Sequence, residues 1–188
     1  MTLTNSPLSQ SLWKLADNFI EQFKETHATL PIIEQDDDWP SVCLQSTFDE
    51  QHVHWQPMKS EEELTFDNIE SALDIALHTD IKEYFSTFFS ESIDAKCSEG
   101  NLSLLFAWNF EDFQRLQENI IGHVLMKKRL KQKVSIFFAV TDEEDMILSM
   151  LNDTGEIWVE RVGCEPHKKL ANSLSEFIDE LTPVVYSD

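Results

Sequence analysis

The sequence predicts an α+β fold, a single domain in which a mostly antiparallel or mixed sheet packs against helices. Three observations carry this. Helical periodicity appears near both ends and in the middle of the chain, and the strands come mainly as hairpins bounded by turn residues. The third is length: 188 residues can bury about 70% of the unfolded chain's surface around one core. Hydrophobic residues reach 41%, with thirteen Phe and five Trp, a content that a disordered chain of this charge lacks. Four Gly and six Pro leave little room for flexible linkers. Residues 1–188 are therefore expected to form one unit, with 1–8 and 184–188 as loose termini.

Each element has a local cause. In "PLSQSLWKLADNFIEQFKETHA", Leu8, Leu12, Leu15, Phe19 and Phe23 follow helical spacing, with Ser6 or Ser9 available as a cap. "LPIIEQDDDWP" interrupts that helix. "SVCLQSTF" and "HVHWQP" are β-rich and flank Asp49-Glu50-Gln51, which predicts a hairpin. "SEEELTFDNIESALDI" reads as a turn and a helix with Leu64, Ile69, Leu73 and Ile75 to Leu77 on its apolar side. "TDIKEYFSTFFSESI" reads as another helix, carrying Ile81, Tyr84, Phe85, Phe88 and Phe89, and "NLSLLFAW" as a strand.

A long helix follows. Asn109 is placed to N-cap it, with Asp112 in the position of a capping-box carboxylate. Phe113, Leu116, Ile120 and Val124 form its buried stripe. Beyond it, "VSIFFAV" is apolar enough for a central strand. "MILSML" and "EIWVERV" flank Asn152-Asp153-Thr154-Gly155, a strong hairpin signal. "HKKLANSLSEFIDEL" is expected to close the chain as a helix with Leu170, Leu174, Phe177, Ile178 and Leu181 inward.

The formal charge is -21, yet five of the fourteen basic residues lie in "KKRLKQK", Lys127 to Lys133. A helix end is a sufficient cause. Glu111 and Asp112 open the long helix and Lys127, Lys128 and Arg129 close it, complementing the dipole by roughly 0.3–1 kcal/mol per charge. Stacking aromatics do not interleave the cluster, and the rest of the chain repels phosphate, so nucleic-acid binding is not expected. The acidic field instead favours basic partners, although an acidic surface also serves solubility alone.

Chemistry is sparse. Cys43, Cys97 and Cys164 show no CxxC spacing and read as reduced thiols in a cytosolic protein. The N-terminus lacks the pattern of a secretory signal, and no run of about 18 apolar residues suggests a spanning helix. Phosphate-loop, dinucleotide, nucleophile-elbow and zincin motifs are all missing. His52 and His54 share one strand face, but no third metal ligand is specified, and an exposed strand face accounts for them better. "TDEEDM" and "QDDDWP" lack the spacing of a calcium loop. His123 is compatible with a satisfied interior histidine or an exposed one. No catalysis, cofactor or metal is expected.

The run "FEDFQRLQENIIGHVLMKKRLKQKVSIFFAV", then "LSMLNDTGEIWVERVG" and "LANSLSEFIDEL", with "HWQP" and "LDIALHTDIKEYFSTFF" upstream, resembles the Syd family. The likeness extends over about residues 9 to 183. It implies a SUKH-like fold and a non-enzymatic cytosolic protein. Such proteins associate peripherally with the inner membrane by binding SecY, the translocon channel of gamma-proteobacteria. They recognise or restrain uncomplexed or faulty SecY through a concave electronegative face.

On that reading the partner is the set of basic cytoplasmic loops of SecY, consistent with the positive-inside rule. Candidate contacts are Glu61, Glu62, Glu63, Asp74, Glu111, Asp112 and Glu118, with capping as a competing role for Glu111 and Asp112. Trp55 and Trp108 fit either interface anchors or core residues. Lys127, Lys128 and Arg129 fit helix-end complementation better than lipid contact. A second reading is a toxin-immunity protein whose acidic face neutralises a basic toxin. A third, a metal-dependent hydrolase, requires His52 and His54 to hold an ion.

Overall fold

The N-terminal end of the first helix is built by its own first residues. The structure, a computed structural model, describes residues 6–187; the termini expected to be loose at 1–5 and 188 lie outside the described residues. Ser6 Oγ accepts the Ser9 N–H and Pro7 opens helix α1 (Pro7–His27), where a missing N–H costs nothing. Leu8, Leu12, Leu15 and Phe19 are buried along one face. Residues 6–8 are thus held, against the expectation, because Leu8 belongs to the α1 core stripe.

Next come strands β1 (Ile32–Glu34), β2 (Leu44–Thr47) and β3 (His52–Trp55). They form a small antiparallel sheet in the order β1-β3-β2. The hairpin β2–β3 was expected, whereas β1 falls in the stretch read as a break. Trp55 turns inward from β3 and meets Phe19 at 6.1 Å and Trp108 at 6.0 Å between ring centroids. Helices α2 (Asp67–Leu73) and α3 (Thr79–Ser86) follow. Phe88 and Phe89 are buried beyond the end of α3, where Phe89 bridges to Met58.

The main sheet has seven antiparallel strands in the order β10-β4-β5-β6-β7-β8-β9. Its members are β4 (Ile93–Cys97), β5 (Gly100–Leu104), β6 (Ser135–Thr141), β7 (Met146–Leu151), β8 (Ile157–Arg161), β9 (Lys168–Ala171) and β10 (Thr182–Pro183). β6 lies at its centre, as its apolar run predicts. The β7–β8 hairpin turns at Asn152–Gly155, with Gly155 at φ 76, a left-handed conformation that glycine adopts without strain.

The sheet curls. Lys168 at the β9 edge forms an ion pair with Glu99 in the β4–β5 turn. Four strand spacings of about 4.8 Å separate β5 from β9 in a flat sheet, too far for one pair of side chains.

One face of the curl presents Ile93, Ala95, Leu104, Ala139, Leu148, Met150 and Ile157 to the main core. Helix α1 packs there with α3, β10 and the short helix α5 (Leu174–Asp179). The opposite face carries Ser135, Ser149 and Glu160, all fully buried beneath helix α4 (Phe110–Arg129), against which α2 packs.

The terminal helix is a correction. "KKLA" (Lys168–Ala171) forms β9, pairing Ala171 with Ile157 and Lys169 with Trp158. α5 starts only after Ser173, whose hydroxyl caps it through the Glu176 N–H. Residues 184–186, expected to be loose, are tethered: the Val184 N–H donates to Asp94 O at 2.9 Å, and a His27 ring nitrogen lies 2.9 Å from Tyr186 O.

Candidate partner-binding site

The start of α4 is tied to its neighbours by several side-chain hydrogen bonds. Asn109 Oδ1 accepts the Asp112 N–H at 2.8 Å, as its capping position requires. Its amide donates to Pro40 O at 2.9 Å. Asp112 Oδ2 accepts the Trp108 N–H at 2.8 Å, one residue further back than in the usual capping box. Ser41 Oγ donates to Trp108 O, and Trp108 Nε1 to Trp39 O at 3.3 Å. These bonds fix the loop around residues 39–43 against α4.

Between that loop, the segment near residue 61 and the first turn of α4 lies an open depression of about 540 Å³. Glu61, Glu62 and Glu111 line it, with Val42, Phe89 and Phe110. Val42 and Phe110 are each 38% exposed, unusual for apolar side chains set among carboxylates. Three of the seven candidate acids therefore converge, although about fifty positions separate Glu61 from Glu111. Beside it, a second hollow of about 360 Å³ is lined by Ile33, Glu34, Asp36, Trp39, Leu44 and Trp108 among others. The exposed Asp37 and Asp38 sit on the same loop.

The remaining candidates are placed differently. Glu118 is exposed on α4, two turns or about 10 Å beyond Glu111 and on nearly the same side. Glu63 is exposed next to the depression's rim residues in sequence but does not line it. Asp112 is half-buried, its carboxylate engaged with Trp108. Asp74 caps α2 in a left-handed conformation. Its neighbour Leu73 accepts from Lys128 Nζ at 2.5 Å, so Asp74 lies by the far end of α4, about 25 Å of helix from Glu111. Trp55 and Trp108 are both core residues, 5% and 4% exposed.

Two members of this surface escaped the sequence reading. Trp39 supplies an aromatic wall. Glu91 is half-buried, and burial raises its carboxyl pKa, with the Asp112 carboxylate adding repulsion against only one favourable bond, from the Ser92 N–H. Burial is the main cause of that rise, and the neighbouring Asp112 carboxylate adds to it.

The basic helix end divides. Lys128 and Arg129 are exposed, but Lys127 is fully buried. Its Nζ donates to Cys164 O at 2.7 Å and lies 3.5 Å from Glu160 Oε1. His123 is an interior histidine, its Nε2 3.2 Å from Ser135 Oγ and 3.4 Å from the same Glu160 oxygen. Burial pushes the Glu160 pKa up. The Ser149 hydroxyl bond, the neighbouring His123 and Ser135 side chains and the charge of Lys127 outweigh it and hold the carboxyl below its usual range. Lys127 is therefore unavailable to a lipid surface.

The two strand histidines have local partners. His52 Nδ1 lies 2.8 Å from Asp49 Oδ1, and His54 Nε2 lies 2.8 Å from Thr29 Oγ1. Among the described residues, no group of three or more His, Cys, Asp or Glu is arranged to hold a metal ion, and no helix is long and apolar enough to cross a membrane.

A family model described as Syd protein (SUKH-2) matches residues 9–183. The chain belongs to the Syd family. Three Syd relatives agree with it over almost their full lengths. Protein Syd of Colwellia psychrerythraea is 53% identical, over 97% of this chain and 96% of the relative. Protein Syd of Alteromonas mediterranea is 43% identical over 94% and 97%. Protein Syd of Pseudoalteromonas atlantica is 40% identical over 95% and 97%. The Syd match spans both sides of the acidic depression, from Val42 on the loop to Glu111 on α4.

Proposed function

We propose that this Syd-family chain is a non-enzymatic regulator that binds basic cytoplasmic loops of the SecY translocon channel and senses or restrains SecY that is uncomplexed or faulty. The observation that carries the reading is the convergence of Glu61, Glu62 and Glu111 on one open depression with the exposed Val42 and Phe110. Carboxylates around an apolar floor suit a segment that alternates Lys or Arg with apolar residues. The charges steer association and set orientation, while the floor accepts the apolar side chains.

A chain of charge -21 is repelled by anionic lipid, so on this account SecY itself, not the bilayer, holds the protein at the cytoplasmic side of the inner membrane. The test is capture of detergent-solubilised SecY at low and raised salt. Capture that weakens with salt supports the reading. Capture insensitive to salt removes the electrostatic part of it, and no capture at any salt returns the toxin-immunity alternative to the front.

A further inference from the structure

One cation already occupies the acidic surface. Arg115 extends from α4 so that its guanidinium carbon lies 4.4 Å from the centroid of the Trp39 ring. Its Nη2 donates to Glu111 Oε1 at 3.3 Å. Trp39 lines one hollow and Glu111 lines the other, so Arg115 spans the ridge between them. The Trp39 ring packs partly against the core, which leaves its guarded face as a rigid aromatic platform. An aromatic face beside a carboxylate is a receptor for a guanidinium or an ammonium group. Here the protein fills that receptor with its own side chain.

We propose that Arg115 is an internal stand-in for a cationic side chain of the partner. A basic segment entering the acidic surface displaces it and takes over both Trp39 and Glu111. The inference rests on the proposed reading of this face as a docking site for basic segments, and it adds which two groups grip a partner arginine or lysine and what they hold beforehand. Arg115 is well exposed, as is Glu111, with relative side-chain exposures of 61% and 62%, so the internal contact is weak enough to exchange. One exposed helix ion pair and one exposed cation–π contact together set a competition of about five-fold in affinity.

The test uses the full chain and a hexa-arginine peptide, titrated calorimetrically at low salt. R115Q is compared with K14Q, since Lys14 is exposed on α1 and its substitution removes the same charge elsewhere. R115Q is expected to bind the peptide about five-fold more tightly than wild type, K14Q by less than about two-fold, and W39L/R115Q to lose the difference between them. Equal gains in R115Q and K14Q overturn the proposal, because Arg115 then contributes only net charge. Weaker binding by R115Q also overturns it, since Arg115 would be holding Glu111 in place for the partner. Absence of peptide binding by both wild type and R115Q overturns it as well. SecY capture is scored separately: peptide results as expected without SecY capture sink the SecY reading and leave this one standing.

Discussion

Replacing Lys127 by Met removes one half of an ion pair that has no access to water. Both side chains are 0% exposed, and Nζ lies 3.5 Å from Glu160 Oε1. At an effective dielectric of about 20, that separation corresponds to an attraction of about 5 kcal/mol. Desolvation of the two ions offsets much of it, so the intact pair contributes little net stability. The single variant is another matter. Glu160 Oε2 keeps the Ser149 hydroxyl at 2.8 Å, but Oε1 has no hydrogen-bond partner and loses its strongest neighbouring charge. Cys164 O also loses its donor.

A buried charge left in this way costs about 3–5 kcal/mol, a large part of the roughly 5–15 kcal/mol that a domain has. Urea denaturation followed by tryptophan fluorescence should show K127M with a clearly lower midpoint. K127M/E160Q should recover at least half of the loss, because the neutral amide has no uncompensated charge. Near-wild-type stability for K127M, or a double variant as unstable as the sum of the singles, would mean that Glu160 is not left as an uncompensated buried charge.

Other outcomes follow from single sites. At Gly155 an added Cβ would lie 2.7 Å from His78 Nε2, on a backbone that already disfavours side chains, so G155A should lower stability by about 1–3 kcal/mol in the same assay. Burial, which the Ser9 N–H bond opposes and Asp80 reinforces, raises the Glu83 pKa. The folded state therefore disfavours ionised Glu83 above its folded pKa, and this cost disappears as pH falls through that value to the unfolded one. E83Q should be more thermally stable than wild type at neutral pH, with the difference shrinking in acid. Burial pushes the Cys43 thiol up to about 11, whereas Cys164 is exposed. A thiol reagent should label native Cys164 readily and Cys43 only after unfolding.

What the sequence discloses depends on how local the cause is. α1, α4 and the β7–β8 hairpin are legible because a stripe, a cap or an Asn-Asp-Thr-Gly turn specifies each within a few residues. β4 carries a clean alternation in Ile93, Ala95 and Cys97, but the preceding Phe-rich helical pattern masks it. Leu170 stands at helical spacing from Leu174 and still belongs to β9, since pairing with β8 overrides that coincidence. Lys127 looks like part of a solvated charge run, yet it continues the stripe of Ile120 and Val124, and its spacing holds the signal of its burial. The grouping of Glu61, Glu62 and Glu111 is invisible in one dimension, because only tertiary packing brings the two segments together. Trp39 and Glu91 are hidden for the same reason.

The depression bearing Glu61, Glu62 and Glu111 is the proposed docking place of a basic partner. The most direct measurement is the affinity of purified chain for detergent-solubilised SecY, comparing E61K/E62K/E111K with E143K/E144K/D153K, an equal charge reversal at exposed acids elsewhere. A loss of about ten-fold or more is expected for the first variant and a much smaller loss for the second. Equal losses would mean that net charge alone governs the interaction, and undiminished binding by the first variant would contradict the site.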